Sequence, residues 1–251
     1  MPNHVTNIII VADQGDHSLA EIRASFVSKD GRVDFNVIEP SPACLDDFNP
    51  HMGITTLAEA LVSAPISTHP LTAALEASNR QDALDKMDEL SAEDAKLLER
   101  ALSNHEECGH IYWHSWQSEK WGTKWNAYGQ PDKGHPEDST AFEFETAWSH
   151  PQKLLAQLSR KLPAVTFEIK FADEDIGSNC GAYTLVNGEV SNADIAPNWR
   201  GMSGEQKKHY TKLAFGICHK DTDPRSYGYD EDWQYSDEVY DAYEAEQEEQ
   251  A

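Results

Sequence analysis

The sequence is short of cysteine and has no long apolar run. Its four cysteines, Cys44, Cys108, Cys180 and Cys218, form no CxxC pair. This spacing argues against a disulfide framework and against a closed zinc site, so we expect free thiols. No window approaches the roughly 18 uninterrupted apolar residues of a membrane span. The N-terminal apolar run has no basic region before it and predicts a strand rather than a signal peptide, so we expect a cytoplasmic location in the host cell and no membrane contact.

Basic residues are also scarce. Lys and Arg number 20 against 44 Asp and Glu, which gives a formal net charge of −24. A chain of this charge repels nucleic acid phosphates and anionic lipid at long range. We therefore expect no direct binding of nucleic acid, whereas a basic host protein or a nucleic-acid-binding complex is a permitted partner. The alternative is that the acidity only keeps the protein soluble.

The first 40 residues predict a β-α-β unit. Val5–Val11 is a β-rich apolar run, and Ser18 with Glu21 forms a capping box at the start of a helix over Leu19–Ser28. In Val33–Ile38 apolar and polar residues alternate, the period of a half-exposed strand.

A second β-α-β unit is predicted after residue 139. Thr140–Ala147 and Val165–Phe171 alternate as strands, and between them Pro151 begins a helix with an apolar stripe of leucines. Beyond it, Cys180–Val190 predicts a pair of short strands that turn at Asn187-Gly188.

Between the two units, prolines end the sheet pattern and the composition becomes helical. The expected helices are Thr56–Ser63, Leu71–Ser78, Gln81–Leu90 and Ala92–Asn104. His110–Lys120 fits one more helix ending at Gly122, although a strand fits nearly as well.

The domain prediction is an α+β domain over residues 1–195 with a helical insertion at 55–120, a linker and helix at 196–220, and an acidic aromatic tail at 221–251. The tail carries twelve acids against Arg225 alone, together with five tyrosines and Trp233. It is either a flexible solubilising tail or a segment that docks on a basic groove.

Two β-α-β units fit a split β-α-β antiparallel sheet of ferredoxin-like type, with two helices on one face of four strands. The segments PNHVTN, WGTKWNAY, FEFETAWSHP and IGSNCGAY resemble the uncharacterised YubB-like proteins of phages, prophages and conjugative plasmids. The resemblance covers most of residues 1–190. It implies a ferredoxin-like domain, a mobile-element origin and an accessory role, and it carries no catalytic residues.

One segment mixes large apolar area with polar groups and is the best candidate binding site. Lys124 between two indoles could make a cation–π contact, while a hydroxyl and an amide could orient a ligand. The alternative is that the tryptophans pin the helical segment to the sheet. The candidate residues are Trp121, Thr123, Lys124, Trp125 and Asn126, joined by Asn3 and His4 from the first strand.

Motifs of catalysis and cofactor binding are missing. There is no GxGxxG or GxxxxGK[ST] phosphate loop and no GxSxG elbow. Histidines near Cys108 lack a repeated ligand spacing, so we expect no metal and no cofactor. Cys180 fits a buried thiol better than a nucleophile.

These observations favour a non-enzymatic accessory protein of a mobile element that acts through protein–protein interaction. The expected target is a host nucleic-acid-handling or defence system. The alternative is an enzyme or small-ligand-binding protein with its pocket at the WGTKWN segment.

Overall fold

The computed structural model describes residues 3–63, 70–87 and 89–250. The chain forms two compact units, one of Met1–Glu39 with Lys120–Ala251 and the other of Pro40–Glu119. Its strands are β1 His4–Asp13, β2 Ala141–Ala147, β3 Thr166–Asp173, β4 Cys180–Val186 and β5 Glu189–Ile195. Its α-helices are α1 Leu19–Ala24, α2 Phe35–Ile38, α3 Met52–Val62, α4 Pro70–Met87, α5 Ala92–Cys108, α6 Trp113–Lys120, α7 Gln152–Lys161, α8 Gly204–Cys218 and α9 Asp237–Gln250.

The first unit is built on a sheet with strand order β2-β1-β3-β4-β5, in which every neighbouring pair is antiparallel. Because β1 is antiparallel to both β2 and β3, those two strands run parallel on either side of it. They are joined through α7, which makes a split β-α-β unit and confirms the second unit predicted from the sequence. In the described residues the sheet has five strands. The predicted strand at Val33–Ile38 is not among them, and the predicted pair of strands after Cys180 supplies β4 and β5.

Aromatic pairs fill the core on one face of this sheet. Phe26 beyond α1 packs edge-on against Phe142, and Phe35 of α2 packs edge-on against Phe144, at ring distances of 4.8 and 5.8 Å. All four rings are fully buried. Pairs of this geometry add about 0.5–1.5 kcal/mol beyond the burial of their area. The leucines that α7 buries complete this side of the core.

The other face is covered by α8, the helix expected within residues 196–220, which the layout of two helices on one face did not place against the sheet. Ser203 forms a capping box with Gln206 at its start. Tyr210 and Ala214 then pack with Ala172 of β3 and Cys180 of β4. Side chains alternate along a strand, so Ala172 and its neighbour Phe171 point to opposite faces. The sheet is therefore sandwiched between helices.

The segment Val33–Ile38 is helical at its end, so the predicted strand there, and with it the first β-α-β unit, was wrong. The Asp34 side chain accepts a hydrogen bond from the Asn36 amide and caps the short helix α2. Phe35 and Ile38, three residues apart, are both buried. Val33 pairs with Val27 only in an isolated bridge. The local cap and the i, i+3 burial outweigh the alternating pattern.

Local turn and cap signals are confirmed elsewhere. Ser18 and Glu21 form the capping box of α1. Asn187 and Gly188 connect β4 to β5 with φ of 50° and 80°. Two successive positive φ angles are typical of a type I′ turn, whose twist matches that of the paired strands.

The second unit is a helical assembly with its own core. Ile54 and Leu57 of α3 pack with Leu98 and Ala101 of α5. Helix α4 is continuous over most of the range where two helices were expected, and α5 extends to Cys108. The Sγ atoms of Cys44 and Cys108 lie 3.7 Å apart.

A chain of hydrogen bonds runs beside the core of the first unit and centres on His150. Asn7 donates to the carbonyl of Val5 and to the Thr146 hydroxyl, so its Oδ1 faces His150 Nδ1 at 2.7 Å. Nε2 of His150 lies 2.7 Å from the Tyr183 hydroxyl. An amide oxygen only accepts, which makes Nδ1 the protonated nitrogen and Nε2 the acceptor. Burial lowers the pKa of His150 to about 3.

The beginning of the predicted tail packs on α8 through aromatic rings. Phe215 makes edge contacts with Tyr227, Tyr229 and Trp233 at ring distances of 5.4–5.9 Å. The same segment is tied to α8 by an ion pair between Lys208 and Asp232 at 2.5 Å. Residues 221–236 are thus part of the packed first unit.

Candidate functional site

Trp121 is a structural anchor. It is 1% exposed and packs edge-on against Phe35 at 5.7 Å. Its Nε1 donates to the carbonyl of Glu39 at 2.9 Å. Glu39 and Lys120 are the residues at which the chain leaves and rejoins the first unit. The hydrogen bond therefore holds together the two ends of the intervening segment.

Thr123 and Asn126 are occupied by internal hydrogen bonds. Asn126 Oδ1 accepts from the backbone amides of Phe35 and Ala127, both at 2.8 Å, while Nδ2 donates to Asp34 at 2.7 Å. Thr123 is 1% exposed and its hydroxyl faces the carbonyls of Trp125 and Ala147. These two side chains hold the turn to α2 and to the end of β2.

Lys124 lies between two indoles, although the second is not the one expected. Its Nζ is 4.7 Å from the ring centre of Trp125 and 4.4 Å from that of Trp148. Trp121 is turned into the core instead. Trp148 is 49% exposed and has φ of 66°, a left-handed conformation that is uncommon for a bulky residue. The sequence contained a signal for Trp148, which directly follows the clear strand pattern of β2.

Asn3 and His4 reach the same end of the sheet. His4 Nδ1 is 2.8 Å from the Tyr128 hydroxyl and 3.5 Å from Glu145 Oε2. Burial, and then the Glu145 charge, raise the pKa of Tyr128 to about 12. The phenol therefore stays protonated at neutral pH.

Carboxylates complete this region. Asn3 Nδ2 donates to Asp173 at 3.2 Å and to Asp175 at 2.8 Å. Asn179 donates to the second Asp173 oxygen at 2.9 Å and to the Trp148 carbonyl at 3.3 Å. We call the surface formed by Asn3, His4, Lys124, Trp125 and Trp148 the sheet-end surface. It joins exposed aromatic area to a fixed cation and neighbouring acids, a combination suited to recognition.

Cys180 and the potential metal ligands are the other candidates for chemistry. Cys180 is fully buried, and burial raises the pKa of its thiol to about 12. A thiol held protonated in this way is a poor nucleophile. Over residues 3–63, 70–87 and 89–250, no group of three or more His, Cys, Asp or Glu side chains is arranged to hold a metal ion.

The antiparallel sheet and its packed helices define an α+β protein, and the family comparison agrees with this fold class. Residues 120–215 match the family model described as "Ferredoxin-like domain in Api92-like protein". The match runs from the end of α6 into α8, so it includes Trp121–Asn126 and Trp148 but excludes Asn3, His4 and the tail.

Among solved structures, the chain is similar to the crystal structure of a protein api92 from Yersinia pseudotuberculosis. The two are 11% identical, the alignment covers 78% of this chain and 98% of that one, and the TM-score is 0.30. No curated protein matches the sequence. Among the helices of the described residues, none combines the length and the apolarity needed to cross a bilayer.

Proposed function

We propose that the protein is a non-enzymatic accessory protein of a phage, prophage or plasmid that binds a basic host protein and thereby antagonises a nucleic-acid-handling or defence system. The observation that carries this proposal is α9. Its sequence, DEVYDAYEAEQEEQ, contains seven acids and no Lys or Arg. The mobile-element origin rests on the resemblance of the four sequence segments quoted above.

The position of α9 supports a binding role because the helix is connected to a packed segment. Arg225 pairs with Asp223 at 2.9 Å and with Glu246 of α9 at 3.0 Å, and its guanidinium lies 5.4 Å from the Tyr243 ring centre. Each exposed ion pair contributes only about 0–1 kcal/mol. Together these contacts present the acids on an ordered helix, and an ordered surface loses less conformational entropy on binding than a flexible one.

Affinity purification from plasmid-bearing or infected cells at low salt tests the proposal. We expect a stoichiometric complex that weakens as salt rises, because surface charges are screened within about 10 Å at 0.1 M. Deletion of residues 221–251 removes the acidic helix, but it also removes the ring contacts that Tyr227 and Trp233 make with Phe215. The sharper variant is therefore Glu244→Gln with Glu248→Gln, which removes charge and keeps the packing.

The matched control for these substitutions is Glu189→Gln, which removes an exposed acid from β5. Recovery of no partner at low salt contradicts the proposal. So does undiminished binding by both the double variant and the tail deletion.

We also propose that the helical unit is an insertion in a ferredoxin-like domain. Support comes from the chain order, since β1 precedes Pro40–Glu119 and the matched region follows it. Replacing residues 40–119 with a short Gly/Ser linker is expected to leave a cooperatively unfolding protein with native near-UV circular dichroism. A product that lacks native near-UV circular dichroism or cooperative unfolding contradicts the proposed insertion.

A second candidate function is recognition of a small ligand at the sheet-end surface. The observation in its favour is Trp148, which is half-exposed in a left-handed backbone conformation. Such conformations cost about 1–3 kcal/mol and cluster at functional sites. Lys124→Ala should abolish ligand binding while thermal stability stays near the parent value. Asn126→Ala is less diagnostic because it also breaks the turn, and unchanged binding in both variants rejects the candidate.

A further inference from the structure

A cavity of about 640 Å³ lies in the first unit between α8, the loop that carries Trp199 and the start of the tail. This volume is within the range of about 300–1,000 Å³ that is typical of small-molecule pockets. Aromatic rings line this cavity together with two ammonium groups and two carboxylates. The rings are Trp199, Tyr229, Trp233 and Tyr235, and the charged groups are Lys207, Lys208, Glu205 and Asp232.

One wall is fixed by close packing against a glycine. A Cβ on Gly177 would stand 2.9 Å from a ring atom of Trp199 and 2.8 Å from the Thr211 hydroxyl, and Gly177 has φ of 93°. Only glycine permits this approach and this backbone conformation. Trp199 nevertheless remains 40% exposed. Its ring is thus held in place with a substantial area still accessible.

Another part of the cavity lining is held in place by Phe215. This buried ring contacts Tyr229 and Trp233 edge-on, and the backbone of Tyr229 pairs with that of Tyr235 in a bridge. The Tyr235 hydroxyl donates to Asp237 at 2.7 Å, yet the residue is 64% exposed. A second flat aromatic surface is therefore available beside the cavity.

The two lysines differ in their partners. Lys208 is neutralised by Asp232 at 2.5 Å. Lys207 is half-buried, with its Nζ 5.0 Å from the ring centre of Trp199. In the part of the chain that the structure describes, Lys207 makes no ion pair or side-chain hydrogen bond. An ammonium group with three unused donors at an aromatic wall favours an anion.

We propose that this cavity binds a mononucleotide, with the base stacked on the exposed rings of Trp199 and Tyr235 and the phosphate at Lys207. Aromatic side chains accept any base by stacking, and a lysine binds phosphate as a point charge. A single phosphate matches a single available ammonium. A nucleic acid strand is disfavoured, because its further phosphates would meet a chain of net charge −24.

Isothermal titration calorimetry of the full-length protein with AMP tests this assignment. We expect saturable binding with a dissociation constant below about 1 mM. Adenosine alone and inorganic phosphate alone should each bind at least about tenfold more weakly, because each keeps only half of the contacts. Lys207→Gln should weaken AMP binding by about tenfold.

The matched control is Lys212→Gln, an exposed lysine of the same helix that does not line the cavity. It should change the AMP dissociation constant by less than about twofold. The assignment is overturned if AMP does not saturate, or if the Lys207 and Lys212 variants bind it equally. Tighter binding of a short oligo(dA) than of AMP would replace the mononucleotide with a strand and also overturns it.

Discussion

Acidification from pH 7 to pH 5 is expected to destabilise the protein through His150. Burial lowers the pKa of this imidazole to about 3, whereas an unfolded histidine titrates near about 6.5. In the folded state Nδ1 already donates to Asn7 and Nε2 accepts from Tyr183, each at 2.7 Å. A proton on Nε2 would place a charge in a buried site and would require the Tyr183 hydroxyl to turn and accept instead of donating. The unfolded chain therefore binds this proton more readily than the folded one.

The direction of the pH effect follows from the pKa of His150, which is lower in the folded state than in the unfolded state. Stabilisation is complete above about pH 6.5 and is lost as the pH falls towards about 3, at up to about 1.4 kcal/mol per pH unit. Between pH 7 and pH 5 the loss is about 2 kcal/mol.

Urea unfolding at pH 7 and pH 5 measures the effect as a change in the free energy of unfolding. His150→Gln should be less stable than the parent at pH 7, but its pH dependence should be smaller by about 2 kcal/mol. Groups that titrate in both proteins cancel in this difference.

Phe171→Leu is the control, since it removes the ring stacked 4.2 Å from the imidazole and keeps the titrating group. It should be destabilised at both pH values with the parental pH dependence. Equal pH dependence in the parent and in His150→Gln would refute the reasoning.

Three further outcomes are expected. Asn126→Ala should lower the free energy of unfolding by about 2–3 kcal/mol, because two backbone amides lose their acceptor. Lys124→Ala should lower it by less than about 1 kcal/mol. Equal losses for the two variants in urea titrations would contradict this expectation. Ser203→Ala should cost about 1 kcal/mol by removing the cap of α8, and an unchanged thermal midpoint would count against it. Diamide oxidation should join Cys44 to Cys108; peptide mapping that finds no such crosslink, or finds one in Cys44→Ser, would disprove the pairing.

Local chemistry made part of the fold predictable. The capping box at Ser18 and the turn at Asn187-Gly188 depend on two to four adjacent residues, and both appear as expected. The second β-α-β unit was predictable for a similar reason, because β2 and β3 alternate clearly and the helix between them has one apolar face. These signals do not depend on distant parts of the chain.

Long-range contacts account for what the sequence analysis missed. The alternation in Val33–Ile38 is as clear as in the true strands, but the end of that segment is helical. The local Asp34 cap starts the helix, and Asn126, far along the chain, supports it by accepting from the Phe35 amide. Lys124 was expected between Trp121 and Trp125, and of these two only Trp125 lies beside it. Its second indole, Trp148, comes from the end of β2. The strand pattern of β2 places Trp148 at the end of the sheet, but the residues next to Lys124 do not show that its side chain lies beside that ring.

The hydrogen bond from Trp121 to Glu39 bears on how much sequence the gene can gain or lose between these two positions. This hydrogen bond keeps the two ends of the intervening segment adjacent. The length of that segment therefore has little effect on the entropy cost of bringing its ends together. Doubling a flexible loop costs only about 0.6 kcal/mol of closure entropy. We therefore expect relatives that retain this tryptophan and Phe35 to tolerate segments of different length between positions 39 and 121.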